Sequence, residues 1–454
     1  MKNFSEYKKL LEEFVKFQSV STDPKFKPEI EGVVLWIKEL LTKSGFEVRI
    51  LKGKKCNPVI FANYELNKKA KTLLIYGHYD VQPADRSDGW KVDPFKVLEA
   101  KGKLIARGVI DNKGQILAHI YSAIKLIKEG GLAYNLKFLI EGNEETGNDD
   151  LAGIMAKNKK LLKCDVVVVS DGELTNNKPT IEVSLRGGFN FTITYQTGKS
   201  NLHSGIWGGA VPNAAHELTI LLNKLLQEDF NDGMDTITKN QIKNNKLLVR
   251  EGGDIAKLGG VKKLLLANNT DFYTQTGLKP TLQVTGIKTG YIDSGYANIV
   301  PFKAEARINV RLVSSQNPEQ IAERIKVFIK KNTPSYVDLS ISFTGPHSPV
   351  KVNLNNHYVE MAEKILTKVY KSKVNRKHVG GAVPFVGDIK SILGVDTLLI
   401  PLVNEDCNMH GTDENFDINL AKKALKFSRE FLSHTIRFYR SSWKCKARVV
   451  KGKT

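Results

Sequence analysis

The stretch Gly77-His78-Tyr79-Asp80-Val81-Gln82-Pro83 sets an imidazole and a carboxylate two residues apart. It follows Thr72-Leu73-Leu74-Ile75-Tyr76, an apolar run that reads as a buried strand. Residues i and i+2 of an extended chain point to one side, so His78 and Asp80 are expected together at a sheet edge. Such edges are where open α/β sheets hold ligands. Four more clusters offer acids or imidazoles beside glycines: Arg107-Gly108-Val109-Ile110-Asp111-Asn112-Lys113-Gly114, Glu141-Gly142-Asn143-Glu144-Glu145-Thr146-Gly147, Ser170-Asp171-Gly172-Glu173, and Asn408-Met409-His410-Gly411. Two of them follow apolar runs, Leu136 to Ile140 and Val166 to Val169. Several strands bringing Asp, Glu and His to one edge is the arrangement a metal centre needs. Hard or borderline cations take carboxylate oxygens and neutral imidazoles.

In the order His-x-Asp, Asp-Asn-Lys-Gly, Glu-Glu, Asp, His, the chain resembles the dinuclear-zinc M20 metallopeptidases. The Gly-His-Tyr-Asp-Val-Gln-Pro stretch and the later His203 element bring it nearest their carnosine-type dipeptidase branch. The resemblance runs from about residue 5 to residue 436. It implies an α/β catalytic domain with a mainly parallel sheet, interrupted by a smaller α+β lid through which the chain dimerises. It implies that His78 and Asp171 hold one metal, Glu145 and His410 the other, and that Asp111, joined to Asn112 by a cis peptide, bridges both. Asp80 would fix the ring of His78, as carboxylates behind ligand imidazoles do. Glu144 would be the general base.

Elementary chemistry agrees with that division. Three carboxylates and two imidazoles carry about −3 against +4 for two divalent cations. The residual charge would acidify a water between the metals and polarise a scissile carbonyl. An unligated carboxylate beside that water can accept its proton and pass it to the leaving amine. Zinc suits this donor set, while manganese or cobalt could also occupy it.

A second constellation, Asn201-Leu202-His203-Ser204-Gly205-Ile206-Trp207-Gly208-Gly209, resembles the His-Ser-Gly element with which M20 dipeptidases reach across a dimer to the oxyanion of the other subunit. Asn298-Ile299-Val300-Pro301 and the strand bearing Arg311 resemble lid elements that hold substrate. Arg311 would take its carboxylate or carbonyl oxygen. Gly380-Gly381-Ala382-Val383-Pro384 resembles the family's carboxylate-binding turn, with Ala382 where a Ser is usual. The missing hydroxyl keeps an N-acyl-amino-acid deacylase in view beside a dipeptidase. His119, His216, His357 and His434 read as structural or solvated, and His347 and His378 stay undecided. Cys407 reads as a loop thiol, with a metal role as the alternative.

These residues need elements to position them. Helices are expected over Glu6–Phe17, Pro28–Lys43 and Gly114–Lys128, and strands near Glu47–Leu51, Val59–Asn63 and Leu73–Tyr76. Strand and helix then alternate to Ser184, which argues for α/β. The expected division is a catalytic domain over 1–186 and 347–436, a lid over 187–346 and a basic tail over 437–454. In the lid, strands are expected at Phe189–Tyr195, Thr281–Val284, Glu305–Val313 and Val337–Phe343, with helices at Asn213–Leu226 and Pro318–Lys331. A Lys/Asn-rich stretch lies between them. Helices at Tyr358–Tyr370 and Leu420–Phe431 return to the first domain.

The 454 residues exceed what one core usually supports, and 41% hydrophobic content is ordinary for a globular chain. No apolar run is long enough for a membrane span. The amphipathic start lacks the marks of a signal peptide. Four scattered cysteines, Cys56, Cys164, Cys407 and Cys445, read as free thiols of a reducing cytoplasm. The net charge is +20, of which seven charges fall in 437–454. That tail could touch an anionic surface or nucleic acid, but no nucleic-acid-binding motif is recognisable elsewhere. The favoured reading is therefore a two-metal amide hydrolase of dipeptides or short peptides. A deacylase on the same scaffold comes second, and non-catalytic anion binding through the tail third.

Overall fold

The computed structural model describes residues 2–266, 270–381 and 384–434. The basic tail 437–454, Cys445, and Ala382 and Val383 of the glycine turn lie outside the described residues.

Four apolar segments make the centre of a nine-stranded sheet. In spatial order they are Asn135–Glu141, Thr72–His78, Val166–Val169 and Asp396–Leu399, each parallel to its neighbour. Helices cover both faces of such a centre, so its strands read as near-continuous apolar runs. The parallel character stops at the flanks. Glu47–Leu51 and Val59–Tyr64 are joined by a short loop, which obliges them to pair antiparallel, and Val59–Tyr64 runs antiparallel to Asn135–Glu141. On the other side Thr180–Leu185 pairs antiparallel with Val350–Lys351 and parallel with Asn375–Val379. The sheet is thus mixed, with a parallel core.

The helix Lys113–Glu129 packs on this sheet between the N-terminal helix Lys2–Lys16 and the C-terminal helix Ile418–Ser433. Two polar groups tie the first of these contacts. Tyr7 Oη donates to the carbonyl of Gly114 at 2.8 Å, and the buried Lys113 Nζ donates to the carbonyls of Phe14 and Phe17 at 3.2 and 2.7 Å. Gly114 has no room for a side chain, because a Cβ would lie 2.0 Å from the carbonyl oxygen of Val109.

The inserted region builds a second core. Four antiparallel strands, in the order Thr281–Thr289, Lys303–Leu312, Gly187–Gln196 and Asp338–His347, carry the helices Ala214–Gln227 and Pro318–Asn332. Inward residues alternate with exposed ones along Lys303–Leu312, and Ile308 and Val310 meet Phe189, Phe191, Leu221 and Ile325. The Lys/Asn-rich stretch contains a helix, Lys239–Glu251, that does not join this core. It packs with Phe272–Leu278 on Asn375–Val379, and its Asn245 Nδ2 donates to Thr274 Oγ1 at 3.1 Å. Among the described residues no helix is long and apolar enough to cross a membrane.

His119 is buried on Lys113–Glu129. Its Nδ1 faces Ser428 Oγ at 3.0 Å and its Nε2 faces Ser170 Oγ at 2.9 Å. Burial pushes its imidazole down to about 4, whereas an unfolded chain titrates near ~6.5. The unfolded state therefore binds the proton first as pH falls. The His119 contribution to stability is complete above pH ~6.5 and is lost on descent towards about 4. Between pH 7 and pH 5 the loss is about 2 kcal/mol. In urea unfolding, His119→Asn should lose about that much less stability than the wild type between those two pH values. Parallel profiles would show that His119 titrates normally.

Candidate metal centre

Every predicted ligand lies beyond the C-terminal end of a central parallel strand or in a loop packed against that end. His78 closes Thr72–His78, and Glu144 and Glu145 form a single turn just past Asn135–Glu141. Asp171 follows Val166–Val169, and His410 lies on the loop after Asp396–Leu399. Asp111 precedes Lys113–Glu129, and the Asp111–Asn112 peptide is cis.

Two groups of potential ligands result, and they share one residue. His78, Asp111 and Asp171 form the first, and Asp111, Glu145 and His410 the second. His78 Nε2 lies 3.1 Å from Asp111 Oδ1 and 3.7 Å from Asp171 Oδ1. His410 Nε2 lies 2.9 Å from Asp111 Oδ2 and 3.1 Å from Glu145 Oε2. Each oxygen of Asp111 thus faces a different imidazole, the disposition of a carboxylate between two cations. Asp111 and His78 are buried, while the His410 side chain is 54% exposed and leaves one side open.

The field inside the site is negative. Hydrogen bonds that the carboxylates of Asp111 and Glu145 accept from its ring push His410 up to about 10. His78 is raised well above the ordinary imidazole range by Asp171, Asp111 and Asp80, against the opposing effect of its burial. Burial, with Asp171 and Asp111 close by, raises Glu144 well above the carboxylate range. Two imidazoles and three carboxylates that draw in positive charge fit two divalent cations, His78 and Asp171 at one, Glu145 and His410 at the other, with Asp111 between.

Asp80 has a wider part than orienting one ring. Its Oδ1 lies 3.3 Å from His78 Nδ1, which is also 3.0 Å from the Asp80 carbonyl. The same carboxylate accepts from the backbone N–H of Glu144 at 3.3 Å, that of Glu145 at 3.2 Å, and Ser21 Oγ at 2.7 Å. One buried group therefore fixes both His78 and the Glu-Glu turn.

The structure adds residues that the pattern of motifs does not reveal. Glu414 is fully buried, and both its oxygens are used. Oε2 accepts from Arg107 Nη1 at 2.7 Å and from Gly108 N at 3.0 Å, and Oε1 accepts from Ile110 N at 2.9 Å and Asp111 N at 3.3 Å. Arg107 Nη2 in turn donates to the carbonyls of His410 and Gly411 at 3.1 and 3.2 Å. Asn112 Nδ2 donates to Asp171 Oδ1 at 2.9 Å, and Gln82 Nε2 to Glu145 Oε2 at 2.8 Å. Gln82 and Asn112 stand inside the stretches already singled out, so the sequence did carry a signal for them. Glu414 shows only as an acid four residues after His410.

The residues expected to touch substrate form other groups. His203 is exposed, accepts from Gly205 N at 3.1 Å on its Nδ1, and pairs through its backbone with Ile299. Ser204 N donates to the Asn298 carbonyl at 2.9 Å, so His203 and Asn298 are brought together across about a hundred residues of chain. Arg311 and His347 lie opposite Gly188 from its two sides. Gly380 packs on the Thr276 carbonyl, and Gly381 O accepts from Arg186 N at 3.0 Å. Cys407 is a buried free thiol that donates to Glu173 Oε1 at 3.1 Å and belongs to neither ligand group.

Residues 74–434 match the model of peptidase family M20/M25/M40. The chain belongs to this family. It is similar to a cysteinylglycine-S-conjugate dipeptidase of Corynebacterium striatum, with 28% identity over 431 residues, 93% of this chain and 94% of that one. An M20 family metallo-carboxypeptidase from Sulfolobus solfataricus superposes with a TM-score of 0.85 at 30% identity, over 94% of this chain and 98% of its own. Human carnosine dipeptidase 1 does so with a TM-score of 0.80 at 26% identity, over 95% and 96%. The chain is accordingly an M20 metallopeptidase, a metal-dependent hydrolase with a dinuclear site.

Glu414→Gln should be severe for so small a change. It places an NH2 group against N–H donors in a buried position, which costs about 2–4 kcal/mol. The variant should have a lower thermal midpoint and lose metal in dialysis against a weak chelator under conditions where the wild type keeps it. Unchanged metal retention would mean that Glu414 does not position the ligands.

Proposed function

We propose that this M20 enzyme cleaves the amide bond of dipeptides or short peptides bearing a free C-terminal carboxylate. The single observation that carries the reading is the sharing of Asp111 between two ligand groups, with the unligated Glu144 next to Glu145. The dipeptidases among the similar proteins support the substrate class. When bound at His78, Asp111, Asp171, Glu145 and His410, two divalent metals, zinc foremost, would supply Lewis-acid polarisation of the scissile carbonyl and an acidified water.

The side chains do the rest. Glu144 takes a proton from the attacking water on a carboxylate oxygen and delivers it to the departing nitrogen, so that the amine leaves neutral. Asp80 holds the backbone of Glu144 in place and keeps the His78 ring oriented. Arg311 anchors the substrate carboxylate. Its surroundings suit an anion: burial and then the nearby Arg311 charge hold the Arg186 guanidinium and the His347 imidazole down, His347 Nε2 is buried without a partner, and among the described residues neither forms an ion pair. Asn298 and the backbone at Gly380 and Gly381 contribute further contacts. An N-acyl-amino-acid deacylase would use the same metal residues and the same carboxylate anchor, which makes it the second reading.

His203 serves the oxyanion of a neighbouring subunit in a homodimer formed through the lid. Its exposure supports this, as do the exposed apolar side chains Ile206, Trp207, Ile292 and Tyr296 on the segments that adjoin the paired strands Leu202–His203 and Ile299–Val300.

Hydrolysis of a panel of dipeptides, their C-terminal amides and N-acetyl amino acids, with metal measured in the same preparation, tests the reading. Two metals per chain and cleavage of free dipeptides are expected, and cleavage of N-acetyl amino acids alone would move the assignment to a deacylase. On this panel Glu144→Gln should keep both metals and lose about 10²–10⁴-fold in kcat, and Arg311→Ala should penalise free dipeptides far more than amides. Retained turnover in the first or equal losses in the second would remove the corresponding role. For the dimer, mixing His203→Ala with Glu144→Gln should regenerate activity in one of the two hybrid sites. No recovery after verified subunit exchange would place His203 outside catalysis.

A further inference from the structure

The helix Lys239–Glu251 shows its least expected face to solvent. It opens with a reciprocal cap in which Thr238 N donates to Gln241 Oε1 at 2.9 Å and Gln241 N to Thr238 Oγ1 at 3.2 Å. Asn245 and Leu248 form its buried side. Lys239, Lys243, Lys246 and Arg250 recur at i, i+4, i+7 and i+11, which places them in one stripe, and all four are exposed. Lys373, also exposed, stands across from the stripe, and together these five cations line an open groove of about 690 Å³.

Glu251 lies near enough to be influenced by Arg250 and Lys373, but no acid among the described residues is bonded to the stripe. Among the described residues none of the five forms an ion pair. The acids beside the groove are already engaged, Glu251 with Lys178 at 2.7 Å and Glu363 with Arg376 at 2.8 Å. Such a concentration of one sign repels itself, and it gains most from a partner that brings several negative charges at once.

We infer that this groove binds the phosphate backbone of a nucleic acid without regard to base sequence. Eleven residues of helix span roughly 16 Å. One strand of a duplex sets a charge every ~3.4 Å of axis, so about five phosphates fall along that span, within reach of the four helix cations and of Lys373 beside them. The lining has Ile242, Leu247 and amide side chains but no aromatic ring on which a base could stack and no acid, so contacts go to phosphates rather than to base edges. A bilayer surface is flat and would not enter a concave groove. The surface is separate in chain and in chemistry from the carboxylate-rich metal centre.

The test measures binding of the full chain to a fluorescent duplex of arbitrary sequence at salt concentrations from about 50 to 200 mM. The tail 437–454 is present throughout, so its seven cations contribute equally to every protein compared. Lys243→Ala/Lys246→Ala should flatten the plot of log K against log salt by about two units, and Lys373→Ala, which leaves the helix untouched, by about one. The double change should relieve the salt-induced loss of affinity by about tenfold over that range, with dipeptide hydrolysis unaltered as a sign of intact folding. Slopes and affinities equal to wild type in both variants, or no duplex binding at the lowest salt, would overturn the inference. So would a polyglutamate of matched charge that binds more tightly than the duplex and suffers from the same substitutions, since the groove would then be a site for acidic polypeptide.

Discussion

The buried contact between Arg107 and Glu414 decides where the metal centre can be. Glu414 takes four hydrogen bonds from the segment that leads into Asp111, and Arg107 passes the restraint on to the carbonyls of His410 and Gly411. Two ligand-bearing loops, about 300 residues apart in the chain, are thereby locked to one another. Burial raises the Glu414 carboxyl even though Arg107 and the backbone donors oppose it. An ion pair of this kind contributes little net stability, since desolvation consumes most of the attraction. Its value lies in position: the geometry of Asp111, the carboxylate shared by the two ligand groups, is fixed before any cation arrives, and the cost of ordering it falls on folding rather than on binding.

The same logic extends through the site. A parallel sheet brings its strand ends to one edge, and here that edge gathers Asp80, Asp111, Glu144, Glu145 and Asp171, which repel one another. Backbone N–H groups meet that repulsion where no metal is needed, as at Asp80, which takes those of Glu144 and Glu145. Side-chain amides do so at the rim, where Asn112 supports Asp171 and Gln82 supports Glu145. Among the described residues Asp111 is left with only the two imidazoles beside its oxygens. Structural and chemical carboxylates are thus separated by how many hydrogen bonds the polypeptide supplies to each.

That separation also explains what could be read in the sequence. His78 and Asp80 were legible because the period of a strand and the apolar run before it fix where both side chains go. The Glu-Glu turn and Asp171 were legible for the same reason. Glu414 was not, because its partners lie some 300 residues away and its own neighbourhood has no period. The antiparallel flanks of the sheet were missed since strand direction follows from loop length and partner, and Thr180–Leu185 alternates polar and apolar residues as a surface strand does although all six are buried. The helix Lys239–Glu251 passed as a polar stretch: only Leu248 and Asn245 are buried on it, and the cap at Thr238 and Gln241 was its one distinct signal. In the four-stranded sheet, Gly188 separates Arg311 from His347, and a Cβ there would lie 2.1 Å from the Val310 carbonyl. Such a close approach becomes visible only once the three strands are paired.

Charge then bears on which amide the enzyme prefers. The chain is strongly cationic as a whole, while its reaction centre is rich in carboxylates. A positive field raises the local concentration of anions, and it acts over about 8–10 Å at ordinary ionic strength. An N-acyl amino acid has a net charge near −1, whereas a dipeptide with neutral side chains is a zwitterion and gains almost nothing from such a field. Long-range electrostatics therefore favours deacylase substrates over dipeptides in encounter rate, whatever the site prefers. If dipeptides are the better substrates, the preference must be made by contact inside the closed site, through groups that tell a free α-amine from an acyl chain. Specificity on this scaffold would then rest on short-range desolvated contacts that oppose the global field, and it should be less sensitive to salt than the rate of encounter.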